Sequence, residues 1–324
     1  MLDCIVIGAG QAGLAVGYYL RKKGLDFVIL DAESGPGAAW RHTWPSLTLF
    51  SNSASSNLPG WPMPHHEGFP PASHVIDYFA RYEQRYALPI RRPVRVDEVT
   101  HDGACFHVYA GEEKLTSRTV VAATGTWSAP FIPYYPGNFG GRQWHSAFYP
   151  GPADFAGSTV AVVGAANSGA QIAAELLLSG VETTWYTRSS PRWMPDDVDG
   201  RVLFQRNRAR LNALLRGEPD PGADSNLGDI VMVPPVQRAR DSGLLQATPM
   251  FSSLDEVNTD HLIWCTGFRP ALRPIRGLLA GTSPTVDGLF LVGYGTWTGP
   301  GSATITGVSP FARQTAQAVA NICD

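Results

Sequence analysis

Two glycine-rich turns, each directly following a short apolar run, predict an α/β fold of two Rossmann-like (three-layer β/β/α) dinucleotide-binding domains, one inserted in the other. The turns read Gly8-Ala9-Gly10-Gln11-Ala12-Gly13 and Gly164-Ala165-Ala166-Asn167-Ser168-Gly169. A second repeat points the same way. Val120-Val121-Ala122-Ala123-Thr124-Gly125 and Leu262-Ile263-Trp264-Cys265-Thr266-Gly267 are both apolar strands ending on Thr-Gly. These endings mark where the chain crosses between domains. The expected division is residues 1–155 and 270–324 for the outer domain and 156–269 for the inserted one.

The elements follow in order. Cys4–Ile7 is a β-branched run buried on both faces, Gln11 to about Gly24 a helix, and Phe27–Leu30 a second strand ending at Asp31, 18 positions after Gly13. Residues 36–71 carry Gly-Pro punctuation and are expected to wrap a surface and supply contacts instead of core. His74–Tyr86 places Val75, Ile76, Phe79 and Tyr82 at helical spacing. Residues 94–121 hold short alternating strands broken at Asp102-Gly103 and Gly111, a small antiparallel excursion. The second βαβ runs through Thr159–Val163, a helix near Ser168–Ser179 and a strand at Thr183–Thr187. Residues 196–257 are the least readable, with a helix expected over Val202–Arg216 and a loop over Gly217–Gly228. Leu289–Val292 is a last strand and Val308–Ile322 a closing helix.

Composition narrows the class. A chain of 324 residues, 44% hydrophobic, buries a large core, and the 34 glycines and 26 prolines are scattered without period. Net charge is −3 with no long basic run, which argues against a nucleic-acid surface. The densest early cluster, Arg91-Arg92 with Arg95, reads as a solvated strand edge. Cys4, Cys105, Cys265 and Cys323 lie far apart without a CxxC or metal-ligand spacing, so no metal and a reducing, cytoplasmic setting are expected. The first strand begins at Leu2, leaving no room for a leader, and no apolar run approaches the roughly 18 residues of a membrane span.

The first turn has a stated chemistry. Gly8 permits the tight turn, Gly10 lets backbone approach a pyrophosphate, Gly13 allows close helix–strand packing, and the unpaired N–H groups at Gln11-Ala12 favour phosphate oxygens. Asp31, followed by Ala32, is placed to accept from ribose hydroxyls of an adenosine half. A bare glycine motif is weak, but strand, glycines, helix, strand and acid in register argue against a ligand-free turn. In the second turn Ala166 replaces the middle glycine, with Asn167, Ser168 and Gly169 opening the helix. The strand after it ends on Thr187-Arg188-Ser189 with no acid, which suits the 2′-phosphate of NADPH and leaves NADH open; a plain surface arginine is the competing reading. Between the turns, Phe139-x-Gly141-x-x-x-His145-x-x-x-Tyr149 sits on a linker, where His145 reads as a positional sensor more than an acid or base.

The pattern Phe139/Gly141/His145/Tyr149 between two glycine-rich turns resembles the signature of class B flavin-dependent monooxygenases, in the flavin-containing monooxygenase branch. Tyr149 stands where the Baeyer–Villiger branch has Trp. Residues 195–204 together with Gly37-Ala38-Ala39-Trp40-Arg41 look similar to short bacterial members associated with arsenic resistance. The resemblance implies FAD and NADPH as cofactors, hydride transfer to the flavin, oxygen addition at flavin C4a, and delivery of the distal oxygen to a soft nucleophile: a thioether, an amine or an arsenical. It makes O2 and a small-molecule substrate the partners and leaves a homo-oligomer open. It also implies that Asn52, in Leu49-Phe50-Ser51-Asn52, lies near the reactive flavin edge, with a simple turn-forming role as the alternative. Trp40 and Arg41 match a flavin-contacting stretch, and Gly293 to Thr304 precedes a helix whose N-terminus faces the flavin.

Other signals carry less. His65-His66 lacks further ligands at metal spacing, the arginines at 201, 206, 208, 210 and 216 read as a solvated helix face, and Asp196-Asp197 with Asp199 lacks calcium-loop spacing. Two functions of other classes stay open: a reductase of disulfides or small thiols, for which Gln11 stands where a redox cysteine would be needed, and an electron-transfer flavoprotein that binds the cofactors without oxygenation.

Overall fold

In the computed structural model, which describes residues 1–221 and 228–324, one mixed and one all-parallel sheet stand behind the two turns. The first comprises β1 (Leu2–Ile7), β2 (Phe27–Leu30), β3 (Ile90–Arg91), β4 (Glu98–His101), β5 (Phe106–Ala110) and β6 (Glu113–Ala122) in the order β3-β2-β1-β6-β5-β4, with β14 (Leu289–Leu291) also on β6. The ten-residue β6 does two jobs. Its first half pairs antiparallel with β5, and its second half runs parallel between β1 and β14.

Alternation on β1 sets the layers. Cys4 and Val6 face a core shared with helices α1 (Gln11–Lys22), α2 (Ala72–Arg85) and α6 (Ser309–Cys323), whereas Ile5 and Ile7 face the antiparallel strands through Val99, Phe106 and Val108. Each of these fully buried side chains contributes about 1.5–3 kcal/mol, so a one-residue register slip would invert both faces at once.

The second sheet has the order β10-β9-β8-β11-β7, all parallel: β7 (Arg142–His145), β8 (Thr159–Val163), β9 (Glu182–Thr187), β10 (Ala247–Pro249) and β11 (His261–Trp264). Val160, Val162 and Ile263 face α3 (Asn167–Leu178) and α5 (Pro234–Asp241); Ala161, Val163 and Trp264 face a smaller layer with Tyr135, Phe251 and Leu254. Helix α4 (Gly200–Leu215) is capped by Asp199 and seats Gly200 on Phe50 and Ser51. A short hairpin, β12 (Leu279–Ala280) with β13 (Ser283–Pro284), precedes β14.

Three expectations change. The second sheet begins at Arg142, before residue 155, because β7 joins its edge. The segment 36–71 is not only surface: Trp44, Leu49, Leu58 and Met63 are buried in the cores, since a loop that crosses a sheet end can bury its apolar side chains there. Arg92 is not solvated but enclosed with Asp31 and Glu83. The loop expected over Gly217–Gly228 lies in part outside the described residues. No helix among the described residues is long and apolar enough to cross a membrane.

Candidate functional site

The two glycine turns are built alike, atom for atom. A Cβ on Gly8 would stand 2.5 Å from the Ala123 carbonyl oxygen, and one on Gly164 2.4 Å from that of Cys265. A Cβ on Gly13 would meet the Gly8 carbonyl oxygen at 1.8 Å, and one on Gly169 the Gly164 oxygen at 2.1 Å. In each case the first glycine presses on the residue before a Thr-Gly crossing, and the third lets the helix sit on the turn.

The middle position differs. A Cβ on Gly10 would meet nothing nearer than the Ala38 Cβ at 3.5 Å, so the protein itself does not require glycine there. The bare backbone is useful to a ligand lying across it. Helices α1 and α3 also begin with no side-chain cap and no acid in their first turn, leaving their N–H groups to an anion. Residues of this kind fit a dinucleotide at each turn. Ala166 already carries a methyl in the second, and the Asn167 carbonyl oxygen accepts from Val231 N–H at 2.8 Å, so that side chain braces the fold beside α3. Ser168 is half-buried at the same helix start.

Around the first turn several expected residues converge. Gln11 donates to the Ala303 carbonyl at 2.9 Å, and a Cβ on Gly293 would stand 2.6 Å from that of Ala12, so the stretch before α6 lies against the start of α1. Thr304 holds this stretch internally, donating to Gly301 O and accepting from Gly307 N–H. Thr306 ties it to the Asn52 turn, accepting from Asn57 N–H and donating to Ser55 O, both at 2.7 Å. Asn52 caps that turn: its Oδ1 accepts from Ser55 N–H at 3.0 Å, while Nδ2 has no partner among the described residues. A cleft of about 390 Å³ opens here, lined by Asn52, His65, His66, Phe69 and Asp199 among others. Trp40 packs on the first core, and Arg41 is held by Pro36 O, Ser34 and Glu33. Ala32 is exposed beside the buried Asp31.

The expectation for Asp31 needs a correction of detail. One carboxylate oxygen is already engaged by Arg92 Nε, and Arg92 is in turn held bidentate by Glu83 at 2.7 and 2.9 Å. Burial pushes the Glu83 carboxyl up, with Arg92 opposing. Sequence reading missed both partners, because neither periodicity nor a motif marks them.

The crossings lie side by side. Phe131 N–H donates to Gly267 O, Arg269 N–H to Ala129 O and Ala271 N–H to Gly125 O, an antiparallel ladder at 2.8–3.0 Å. Thr124 Oγ1 donates to Ala271 O and meets the Tyr294 hydroxyl at 2.6 Å; Thr266 Oγ1 donates to Phe131 O. His145 latches onto this ladder. Its Nδ1 accepts from Ala147 N–H at 3.1 Å, so Nε2 carries the proton and donates to Gly267 O at 2.9 Å. Burial holds the imidazole below its ordinary pKa, with that hydrogen bond opposing. Gly141 explains its own place: a Cβ would stand 2.2 Å from Asp260 O and unseat β7 from β11. Tyr149 is buried against Phe155 and Trp44.

At the far end of the second turn Thr187 is buried, Arg188 and Ser189 are exposed, and Arg188 reaches Tyr135 Oη at 3.4 Å. Asp196 is paired with Arg240 and Asp199 caps α4, so neither offers a cation site. Asp102, Cys105 and His107 bring ligating atoms within 4.8 Å of one another, yet His107 Nδ1 is buried without a partner. Its Nε2 lies 2.8 Å from Asp102 Oδ2, so two members of the cluster are hydrogen-bonded to each other.

A family model described as pyridine nucleotide-disulphide oxidoreductase matches residues 5–287. The chain is 44% identical to a flavin-containing monooxygenase from Stenotrophomonas maltophilia, with a TM-score of 0.87 over 100% of this chain and 99% of that one. It is 30% identical over 337 residues to the uncharacterized oxidoreductase CzcO of Bacillus subtilis, covering 95% of this chain and 96% of that protein. An oxidized steroid monooxygenase bound to NADP shares the fold, with a TM-score of 0.66 at 17% identity over 99% of this chain and 85% of that one. The chain belongs to the pyridine nucleotide-disulphide oxidoreductase family and, within it, to the flavin monooxygenases.

Proposed function

We propose that this protein carries FAD on the first turn and NADPH on the second, and inserts one atom of O2 into a soft nucleophile such as a thioether, an amine or an arsenical. The balance is NADPH, a proton, O2 and substrate giving NADP⁺, water and oxygenated substrate. The flavin, when bound, supplies hydride acceptance and oxygen activation. One observation carries the reading: the two turns are duplicates in their backbone contacts, and between them the Asn52 amide offers an unspent N–H₂ beside an open cleft.

The chain's own residues then divide the work. Gly8 to Gly13 and Asp31 hold the pyrophosphate and adenosine ribose of FAD. Gly164 to Gly169 hold the nicotinamide cofactor's pyrophosphate, and Arg188 with Ser189 meets its 2′-phosphate. Asn52, its oxygen pinned, donates from Nδ2 toward the reacting oxygen. His145 keeps the crossing at Gly267 in register, and the lobe served by the second sheet begins at Arg142. The two buried thiols are not poised for disulfide reduction: burial pushes Cys4 up to about 12 and Cys265 up as well, so neither is a ready thiolate.

The test is an oxygenation assay on the purified yellow protein with NADPH, using thioethers, amines and trivalent organoarsenicals. Equimolar loss of NADPH and O2 with formation of an oxygenated product is expected. Asn52→Ala should keep flavin and hydride transfer while product gives way to hydrogen peroxide. Peroxide alone from the parent protein across the whole panel would sink the proposal.

A further inference from the structure

Asp31, Arg92 and Glu83 form a chain of charges reaching from helix α2 to the end of β2, and no sequence motif marks it. The three side chains are 5%, 13% and 11% exposed. Arg92 meets Glu83 with both terminal nitrogens, a planar fork on a carboxylate, and spends its remaining Nε–H on Asp31 Oδ2. Asp31 is fixed at its backbone as well, donating to Arg91 O at 3.1 Å and accepting from Val94 N–H at 2.8 Å. Its Oδ1 takes no hydrogen bond from any described residue.

We infer that Arg92 is a positioning residue for the adenosine ribose of FAD: clamped by Glu83, it locks one oxygen of Asp31 and presents the other to the ribose hydroxyls. This rests on the assignment of Asp31 proposed above. The guanidinium fixes the orientation of the Asp31 carboxylate, and a charged acceptor binds hydroxyls more strongly than a neutral one. Lysine would supply the charge without the three-point fork. Glu83 does not touch the cofactor in this arrangement; it acts only by holding Arg92.

The experiment measures FAD and FMN dissociation constants by flavin fluorescence after removal of bound flavin, since FMN lacks the adenosine half. Asp31→Asn and Arg92→Met should each weaken FAD about tenfold or more, the scale of one charge-assisted hydrogen bond, and leave FMN unchanged. The double variant should bind FAD no more weakly than the worse single variant, because both changes remove one interaction. Arg92→Lys should recover part of the loss, and Glu83→Gln should weaken FAD but not FMN. If Arg92→Met does not fold, Arg92→Lys and Glu83→Gln carry the same comparison. Loss with Asp31→Asn but parent affinity with Arg92→Met and Glu83→Gln overturns the inference and leaves the Asp31 assignment standing. No loss with Asp31→Asn overturns both. Equal losses for FAD and FMN, or losses that add in the double variant, make Arg92 a brace of the fold alone and also overturn it.

Discussion

Gly10 and Gly13 sit three residues apart in one turn, yet a methyl group on each should have opposite consequences. On Gly13 it would collide with the Gly8 carbonyl at 1.8 Å, backbone against backbone, with nothing flexible to yield. On Gly10 it meets only Ala38 at 3.5 Å. Gly13→Ala is therefore expected to cost about 3 kcal/mol or more in apoprotein stability. Gly10→Ala should change apoprotein stability by no more than about 1 kcal/mol and instead weaken FAD. Thermal melts without flavin and flavin titrations separate the two; a stable Gly13→Ala, or a Gly10→Ala with parent FAD affinity, would contradict this. At this scale Gly8 and Gly13 were legible because steric need leaves a fixed spacing. Arg92 was not, since its pair with Asp31 spans 61 positions and leaves no local trace, and its fork on Glu83, 9 positions away, matches no helical spacing.

Element by element, strong periodicity was readable and edge structure was not. The strand before each turn emerged because both faces of β1 and β8 are apolar. Strand β7 escaped notice, as Arg-Gln-Trp-His has no β-branched residue and is held by pairing along one side only. Helix α5 is eight residues long and opens on two prolines, which read as loop. The latch at the end of β7 carries a pH signature. Burial lowers the His145 pKa in the folded protein, so between that value and the unfolded one near 6.5 the unfolded chain binds the extra proton. Stability from this group is complete above the unfolded pKa and is lost as pH falls toward the folded one. Protonation also sets a ring N–H against Ala147 N–H. The melting temperature should fall from pH 7 to pH 5, and His145→Gln should flatten that slope. An unchanged slope in the variant would remove His145 as its source.

As a whole, the molecule has one mixed and one parallel sheet, bridged by a two-stranded strap and by the buried side chains of residues 36–71. The repeated Thr-Gly endings, which the strap brings side by side, were visible in the sequence; the start of the second sheet was not, because the chain enters it through an edge strand. FAD bound to the folded form alone should raise stability by about 2.7 kcal/mol at a hundredfold excess over its dissociation constant, a rise of roughly 4 °C for a protein of this size. A melting temperature indifferent to FAD would remove the first turn as its seat.

The strap ties the two crossings to each other. Its rungs join residues 125–131 to 267–271, and His145 grips Gly267 from the side, so a slip at either Thr-Gly ending would have to break the bonds that seat the other.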